Sequence, residues 1–500
     1  MTSVHRQSRV VRFCLALVAI LVLAGLCFGQ PAVSLSPKDG PPTTTLRVSG
    51  SGFTSYAQID IYFDSQDEAL VVADAAGAFS QVVIQAPKSA VPGNHWVTAA
   101  ERSGRLVKQE IFEVHVNWDQ FHTRDMHREN PYENVLGVDN VGSLILKKGC
   151  NKWVASSAAV VNDVVYIGGG NGILYALNTR TGATLWTYDT GHRRQLSSPA
   201  VANGVVFFHS WSINEVYALN ADTGAPLWSY QTGDWVPPKG YRGESDAAPT
   251  VANGVVYVTA YDRNVYALDA STGVKLWSYP TGTQSDSSPA VANGVVYVGT
   301  GNVYALEART GTLLWYYASI VSSSPAIANG TVYVGSTDVD GNILALDART
   351  GTLLWKSYAG NNFVFSSPAV ADGVVYVGSD DNNVYALDAS TGALLWSYYA
   401  SGYSELRSSP AVANGVVYVG GADSTLYALD AKTGGVLWSW KDCGMWVQSP
   451  TVANGVLYMG TGCGFSAFVL PKELAPQPPP RPDPKTLRPD FSLKPVSTTE

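Results

Sequence analysis

The residues best suited to chemistry lie in one long loop, residues 232–246, which is rich in charged and aromatic side chains. This loop contains Trp235, Tyr241, Arg242, Glu244 and Asp246. Aromatic rings beside a few converging polar groups can bind a planar or sugar-like ligand, because the rings supply contact area and the polar groups fix its orientation. The same composition also fits a solvated rim, and the sequence leaves both interpretations open.

Further candidates occupy equivalent positions between other repeats of the chain. They are Arg193, Arg194, Asp286, Arg407, Trp446 and Gln448. If the repeats are arranged about an axis, these side chains lie on the same face as the long loop. An enzyme at this face would need a positioned carboxylate to accept a proton. Asp246 and Asp286 are the best-placed carboxylates for that role.

The repeats that would position these residues are marked by tryptophans about forty residues apart. Steps of 42, 49, 38, 40, 41 and 42 residues separate Trp186, Trp228, Trp277, Trp315, Trp355, Trp396 and Trp438. A fixed period of this size is typical of repeat architectures. Every copy carries the phrases Pro-Ala-Val-Ala-Asn-Gly, Val-Val-Tyr-Val, Val-Tyr-Ala-Leu-Asp and Thr-Gly-x-x-x-Trp, with small variations.

Each copy predicts four short antiparallel strands. Asn-Gly is a hairpin turn whose residues tolerate positive φ, and the β-branched run that follows is typical of a strand buried on both faces. Four-stranded sheets repeated radially form a β-propeller, in which each sheet is covered by its neighbours. The seven tryptophans are therefore predicted to be structural docking residues between blades.

The number of blades follows from the first-strand phrase, which occurs eight times. The eighth copy stops at residues 465–470 without Thr-Gly-Trp, and Ser143-Leu-Ile-Leu-Lys147 upstream resembles a fourth strand. Closure by that N-terminal strand leaves no open sheet edge. The sequence therefore predicts an all-β fold whose main domain, residues 143–470, is an eight-bladed propeller closed by an N-terminal strand.

The pattern Ala-x-Asp-x-x-Thr-Gly-x-x-x-Trp resembles the tryptophan-docking motif of pyrroloquinoline-quinone (PQQ) repeat propellers. The full motif contains Asp269, Asp347, Asp388 and Asp430, while Asn178, Asn220 and Glu307 replace the acid elsewhere. The resemblance covers residues 144–470. That superfamily includes quinoprotein alcohol dehydrogenases and the propeller lipoprotein of the outer-membrane β-barrel assembly machinery. The resemblance implies the scaffold and leaves the activity open.

A quinoprotein dehydrogenase of this superfamily would carry adjacent cysteines whose disulfide packs on the quinone. It would also carry long insertions with Ca²⁺ ligands and a catalytic Asp. This sequence has no Cys-Cys pair, and its repeats are too regular for such insertions. The phrase Asp338-Val-Asp-Gly-Asn342 is short for a calcium loop and more typical of a polar turn.

We therefore expect no catalytic residue, no metal and no bound cofactor. The expected function is that of a propeller that binds a protein or glycan partner, or that scaffolds an envelope assembly. The alternative is a PQQ-dependent oxidoreductase that acts on alcohols or sugars with PQQ and Ca²⁺. The loop face should distinguish them, since an enzyme needs a closed pocket with a carboxylate cluster.

Three cysteines, Cys150, Cys443 and Cys463, follow the N-terminal apolar segment. Their places in the repeat put all three on the loop face, around the point where the propeller closes. An oxidising compartment would allow a disulfide there. We expect Cys463 to be bonded, with Cys443 preferred over Cys150 because the intervening loop is short. One thiol stays unpaired in either case.

The regions outside the repeats differ from them in composition and in residue spacing. Residues 1–29 have a basic start, an apolar core and small residues before Gln30, and they are predicted to be a secretory signal peptide. Lipid attachment at Cys27 and an uncleaved anchor are the alternatives. Residues 31–116 have the strand and turn spacing of a β-sandwich and resemble bacterial immunoglobulin-like modules.

Residues 117–142 are predicted to be a linker and resemble the segment that precedes PQQ-type propellers. Its two histidines, His122 and His127, do not match metal-site spacings and are predicted to lie at the surface. Residues 471–500 are rich in proline and are predicted to be a disordered tail.

The charge balance excludes duplex nucleic acid as a partner. The net charge is −8, or −11 once Arg6, Arg9 and Arg12 leave with the signal peptide. Binding to a phosphate backbone requires clustered Lys and Arg. We expect a secreted, periplasmic or cell-surface protein without a transmembrane domain in the mature chain.

Overall fold

The computed structural model describes residues 32–150, 154–210, 213–233, 247–283, 286–337, 341–360, 363–400, 405–421, 423–442, 448–461 and 464–496. Two compact units are present. One contains the chain up to His115 together with the chain from Gln477 onwards, and the other contains Val116–Pro476. Each is described separately below.

The first unit is a β-sandwich. Its strands are β1 (Ala32–Ser36), β2 (Asp39–Gly40), β3 (Thr45–Ser51), β4 (Gln58–Phe63), β5 (Gln66–Val72), β6 (Phe79–Gln85), β7 (Gly93–Glu101) and β8 (Val107–Val114). They form one sheet in the order β1-β3-β6 and another in the order β2-β8-β7-β4-β5. Apolar side chains of both sheets, including Leu46, Ile59 and Phe112, share one fully buried core. The immunoglobulin-like identity of this sandwich remains a prediction.

The proline-rich C-terminal segment differs from the predicted disordered tail over residues 477–496, which pack on the sandwich. The Arg481 guanidinium lies 4.8 Å from the centre of the Trp96 ring. The Val496 N–H donates to the Leu70 carbonyl oxygen at 2.8 Å, on the edge strand β5. A proline-rich chain cannot build a core, but it can lie in an extended form along an existing sheet edge and aromatic surface.

The second unit begins with β9 (Glu129–Asn130), a 3-10 helix at Val141–Ser143 and β10 (Ile145–Cys150). The first four sheets that follow contain β11–β14 (Ala159–Val161, Val164–Gly168, Ile173–Asn178, Thr184–Asp189), β15–β18 (Ala200–Ala202, Val205–Ser210, Glu215–Asn220, Pro226–Gln231), β19–β22 (Thr250–Ala252, Val255–Thr259, Asn264–Asp269, Lys275–Pro280) and β23–β25 (Ala290–Ala292, Val295–Glu307, Leu313–Val321). The long strand β24 spans both middle strands of its blade.

The remaining sheets contain β26–β29 (Ala326–Ala328, Thr331–Gly335, Asn342–Asp347, Leu353–Tyr358), β30–β33 (Ala369–Ala371, Val374–Gly378, Asn383–Asp388, Leu394–Tyr399), β34–β37 (Ala411–Ala413, Val416–Gly420, Thr425–Asp430, Val436–Lys441) and β38–β40 (Thr451–Ala453, Val456–Thr461, Gly464–Val469). A second 3-10 helix, Pro484–Thr486, belongs to the first unit. The described strands of the propeller unit thus group into eight sheets, which we number as blades one to eight. Within each blade the consecutive strands pair antiparallel, and β9 adds to blade seven in parallel with β34.

One row of blade six shows why these strands pair as they do. Ala369 of the innermost strand pairs with Tyr376, and Ala386 of the third strand pairs with Trp396 of the outermost. The turn between the two inner strands places Asp372 at φ 48° and Gly373 at φ 77°. Positive φ at both positions is what a tight two-residue hairpin requires, and Asn or Asp followed by Gly tolerates it. The repeated sequence therefore specifies each hairpin locally.

The docking tryptophans join each of the first six blades to the next. In blade five, the Trp355 indole N–H donates to the Ala389 carbonyl oxygen of blade six at 3.0 Å. A Cβ added to Gly392 would lie 2.7 Å from that indole, so only glycine lets the ring pack against the turn. The same bond links Trp186 to Ala221, Trp228 to Ala270, Trp277 to Ala308, Trp315 to Ala348 and Trp396 to Ala431.

The acid of the motif shapes the turn that receives the tryptophan. The Asp388 carboxylate accepts from the backbone N–H of Thr391 and from its hydroxyl, both at 2.8 Å. Hydrogen bonds from the Ser390 and Thr391 side chains lower the pKa of Asp388 to about 2. The carboxylate is therefore ionised throughout the physiological range and serves the turn.

Replacing Trp355 by Phe is expected to cost roughly 1 kcal/mol in the free energy of unfolding, the net value of one hydrogen bond. The penalty is small because the Ala389 carbonyl keeps a second donor, the Tyr333 hydroxyl, at 3.0 Å. Trp355→Ala should cost about 3–5 kcal/mol, since the ring is lost as well. Urea unfolding of both variants measures the difference. Equal losses in the two variants would show that the hydrogen bond, and not the ring, joins the blades.

The N-terminal strand closes the propeller, as the sequence predicted. β10 pairs antiparallel with β40, with Ile145 opposite Val469 and Cys150 opposite Phe465. The last sheet has the order β10-β40-β39-β38, so its outer strand comes from the start of the propeller unit.

Candidate functional site

The segment that precedes the propeller strands lies against the innermost strands of the blades. It was predicted to be a linker, yet residues 118–130 bond to the innermost strands of blade after blade. Hydrogen bonds join Trp118 with Val160, Asp119 with Val201, Gln120 with Val251, Met126 with Ile327, His127 with Val370, Arg128 with Val412 and Asn130 with Val452. Innermost strands are sheet edges with unused backbone groups, and this segment satisfies them.

Arg128 makes several of the side-chain hydrogen bonds that hold this segment in place. Its side chain is fully buried. The guanidinium donates to the carbonyl oxygens of Phe121 at 2.7 Å, Pro410 at 2.8 Å, Ser409 at 3.2 Å and Pro450 at 3.3 Å. It also lies 4.2 Å from the centre of the Phe121 ring. Burial lowers its pKa to about 9, so it remains charged at neutral pH.

The two histidines of the segment are placed differently from the sequence prediction. His122 is 1% exposed, so its prediction as a surface residue is wrong. Burial, with the nearby charge of Arg128, lowers the pKa of His122 to about 3, and the ring is neutral at physiological pH. His127 is half-buried, and burial lowers its pKa too. The spacing of these residues did not reveal that the segment lies inside the ring of blades.

A chain of serines connects the blades where the innermost strands begin. At most joints, the backbone N–H of the residue at the second position of the Ser-Ser-Pro phrase, or of its variants, donates to the hydroxyl of the matching serine in the next blade. The described links are Ser157 to Ser198, Ala248 to Ser288, Ser288 to Ser324, Ser324 to Ser367, Ser367 to Ser409 and Ser409 to Ser449. The sequence showed the repeated phrase without its role, which is to fix neighbouring blades to one another.

Carboxylates in turns on the loop face accept hydrogen bonds from tyrosine hydroxyls of their own blades. The Tyr385 hydroxyl donates to Asp381 at 2.6 Å, and the Tyr427 hydroxyl donates to Asp423 at 3.0 Å. The Tyr217 hydroxyl donates to Glu215 at 2.6 Å in the same way. These carboxylates position the third strand of their blades.

Several predicted site residues lie outside the described part of the chain. They are Trp235, Tyr241, Arg242, Glu244, Asp246, Trp446, Cys443 and Cys463. Cys150 belongs to β10, but its side chain is not described. Their roles in ligand binding or disulfide formation therefore remain predictions.

The other predicted residues occupy separate places on the loop face. Arg194 and Asp286 are exposed. Gln448 is half-buried, and its carbonyl oxygen accepts from the Ser408 hydroxyl at 3.3 Å, which links blades seven and eight. The described contacts do not bring these three side chains together.

Arg407, by contrast, belongs to a cluster at the border of blades six and seven. Its guanidinium lies 4.5 Å from the centre of the Phe365 ring and 3.8 Å from a carboxylate oxygen of Asp380, and it also pairs with Glu405. Asp380 is 5% exposed. Sequence reasoning missed Asp380, which sits in the turn between the two middle strands of blade six. Its signal was the run Asp380-Asp-Asn-Asn383.

The environment of Asp380 predicts a pH-dependent stability. Burial raises its pKa to about 7, which the nearby Arg407 partly opposes. An unfolded Asp loses its proton near pH 4, whereas the folded one retains it to about pH 7, so this group destabilises the fold increasingly across that interval. Asp380→Asn should therefore gain thermal stability relative to the parent as the pH rises from 4 to 8. Glu473→Gln, at an exposed position outside this cluster, is the control, and a pH-independent gain for Asp380→Asn would contradict the assignment.

Among the described residues, no group of three His, Cys, Asp or Glu side chains is close enough to hold a metal ion such as the Ca²⁺ of a quinone site. Residues 118–130 line the innermost strands. Among these residues, the Arg128 guanidinium already donates to four carbonyl acceptors. Part of the calcium-like phrase, residues 338–340, lies outside the described residues.

Comparison with known proteins agrees with this architecture. No curated protein matches the chain. BamB from Moraxella catarrhalis aligns with a TM-score of 0.54 and 19% identity over 65% of this chain and 99% of that one. The quinohemoprotein alcohol dehydrogenase from Comamonas testosteroni aligns with a TM-score of 0.60 and 16% identity over 71% and 80% of the two chains. At these identities the likeness shows the fold alone.

A computationally designed protein, Ika8, aligns similarly, with a TM-score of 0.53 and 21% identity over 65% of this chain and 98% of that one. Within the described residues, no helix has the length and apolarity needed to cross a membrane. The family model described as outer membrane protein assembly factor BamB matches residues 85–239, 239–337, 281–364, 299–439 and 400–467. The chain therefore belongs to that family of PQQ-like repeat propellers.

Proposed function

We propose that this protein is a non-catalytic binding or scaffold module of the cell envelope that presents its loop face to a protein partner. One observation carries the proposal. Residues 118–130 bond to the innermost strands of seven of the eight blades, and the Arg128 guanidinium donates to four backbone carbonyls. The inner edges of these blades are thus used for structure, and the exposed loops remain for recognition.

The Arg407 cluster has the composition of a protein-binding rim. Arg407 and Glu405 have side chains 51% and 52% exposed, and Phe363 nearby is 38% exposed. Exposed arginine beside aromatic rings is characteristic of residues that dominate protein interfaces. A glycan is the other partner considered, and stacking on Phe363 would then be its main contact. The name of the matched family, an outer membrane assembly factor, supports a partner in the envelope.

The second candidate is a PQQ-dependent oxidoreductase of alcohols or sugars. The fold similarity to a quinohemoprotein alcohol dehydrogenase favours it. We propose that the protein acts without this cofactor, because the described residues supply no carboxylate cluster for the Ca²⁺ that would accompany the quinone.

Photo-crosslinking in native cells tests the proposed function. Phe363→p-benzoylphenylalanine places a reactive ring on the loop face, and the same residue at Lys432 places one on the opposite face. We expect one discrete crosslinked protein from position 363 that disappears when Arg407→Glu is added. Identical products from both positions, or none from position 363, would overturn the assignment of a protein partner to this face. Loss of the discrete product after glycosidase treatment would favour the glycan.

A further inference from the structure

One joint of the propeller lacks the tryptophan that the others share. In blade six the outer strand places Trp396 opposite Ala386, and in blade eight the outer strand places Lys148 opposite Ala467. Ala467 pairs with Tyr458 as Ala386 pairs with Tyr376, so the two positions are equivalent. The joint between blades eight and one therefore has a lysine where six others have an indole ring bonded to the next blade.

The receiving half of this joint is nevertheless intact. In blade one the Asn178 side-chain oxygen accepts from the Thr181 N–H at 2.9 Å, as Asp388 accepts from Thr391, and Gly182 has φ 64°. The matching glycines of the six other turns, Gly224, Gly273, Gly311, Gly351, Gly392 and Gly434, are buried beneath indole rings. Gly182 is only partly buried. The turn thus keeps the shape of an indole acceptor with its surface partly open.

A cavity of about 140 Å³ lies at this turn. Its walls are the side chains of Val165, Leu177, Tyr458, Phe465 and Ala467, and its rim includes the turn 178–182 and Lys147. An apolar cavity of roughly 150 Å³ accepts an aromatic ring such as benzene. The size and lining therefore suit one aromatic side chain.

Tyr458 supplies an independent sign that this joint is incomplete. It is 1% exposed, and its hydroxyl has no hydrogen-bond partner within the described part of the chain. Its counterpart in blade six, Tyr376, donates to the Ala431 carbonyl of the next blade at 3.1 Å. A buried hydroxyl without a partner is costly, so the bond that Tyr376 makes from blade six to blade seven has no counterpart at the joint between blades eight and one.

We infer that this cavity, here called the indole pocket, binds a tryptophan side chain of a partner polypeptide. We infer a tryptophan because at the six equivalent joints the same surface contacts an indole ring. There the ring packs against the turn glycine, and a backbone carbonyl accepts from the indole N–H. The matching carbonyl here is that of Thr179, which lies 3.4 Å from the Lys147 ammonium. The rim also contains Arg180, which pairs with Asp163 at 3.0 Å, so the Lys147 ammonium is the rim cation nearest that carbonyl. The pocket lies at the turns opposite the loop face, and the inference does not depend on the proposed function.

Ligand-observed NMR with N-acetyl-L-tryptophanamide tests the indole pocket in the full-length chain. We expect saturable binding, with N-acetyl-L-leucinamide giving at least tenfold weaker binding because it offers neither ring nor N–H. Lys148→Trp should fill the pocket from within, so it should abolish the binding and raise the unfolding temperature. Lys148→Met, which removes the charge without adding a ring, should leave binding intact.

Two results would overturn the inference. One is binding of the tryptophan amide that is unchanged in Lys148→Trp, which would place the ring elsewhere. The other is a Lys148→Trp protein that folds but is no more stable than Lys148→Met, which would mean that the cavity does not accept an indole. Absence of any binding to the parent would also reject it.

Discussion

Deletion of Ile145–Cys150 from the full-length chain is expected to abolish recovery of soluble, folded propeller. The deleted strand is the only described neighbour of β40 on its outer side, and it pairs there from Ile145 to Cys150. Without it, the last sheet ends in an open edge beside the fully buried Phe468. Unpaired edges next to apolar surface lead to aggregation. Soluble yield and the thermal unfolding profile measure the effect.

A chain that replaces the same six residues by alternating Gly and Ser is the control for connection length. It can still pair through its backbone, so we expect it to remain partly soluble with a lower unfolding temperature. A deletion protein that melts like the parent would refute closure by the N-terminal strand.

Arg128→Met should destabilise the propeller by roughly 3–5 kcal/mol, the range for removing one partner of a buried charged network. Methionine fills much of the same volume, but it leaves the four carbonyl oxygens of Phe121, Ser409, Pro410 and Pro450 without their donor. These carbonyls belong to the segment itself and to blades seven and eight. Chemical unfolding of the purified variant provides the measurement.

Arg128→Lys separates charge from geometry. Lysine keeps the charge but presents one ammonium group, which cannot reach four acceptors arranged around a planar guanidinium. We expect it to recover less than half of the lost stability. A lysine variant as stable as the parent would show that charge alone holds the segment in place.

The fold was predictable because its information is local and repeated. Asn-Gly and Asp-Gly turns, β-branched runs and the Trp–Gly pairs specify each hairpin and each joint within about forty residues. The orphan strand at residues 143–147 could be assigned because the eighth repeat visibly lacked its fourth strand. Periodicity thus gave the propeller and the way in which it closes.

The position of residues 118–130 could not be predicted, because most of their bonds use backbone groups and are spread over seven of the eight blades. Nothing in the side-chain pattern around Arg128 or His122 repeats, so no period reveals where the segment lies. Asp380 was missed for a related reason. Its burial depends on Arg407 and Phe365, which come from neighbouring loops without a shared motif. The packing of residues 477–496 on the sandwich could not be predicted either, because a proline-rich sequence has no pattern that indicates which surface it contacts.

We propose that this propeller recognises a partner and does not oxidise a substrate with PQQ. The most direct measurement incubates the full-length protein with PQQ and Ca²⁺, dialyses it, and follows dye reduction across primary alcohols and aldoses. We expect no retained quinone and no turnover, because residues 118–130 already bond to the inner edges of the blades and the described residues supply no group of metal ligands. Retained quinone with turnover that disappears in Asp246→Asn or Asp286→Asn would contradict it and establish the oxidoreductase.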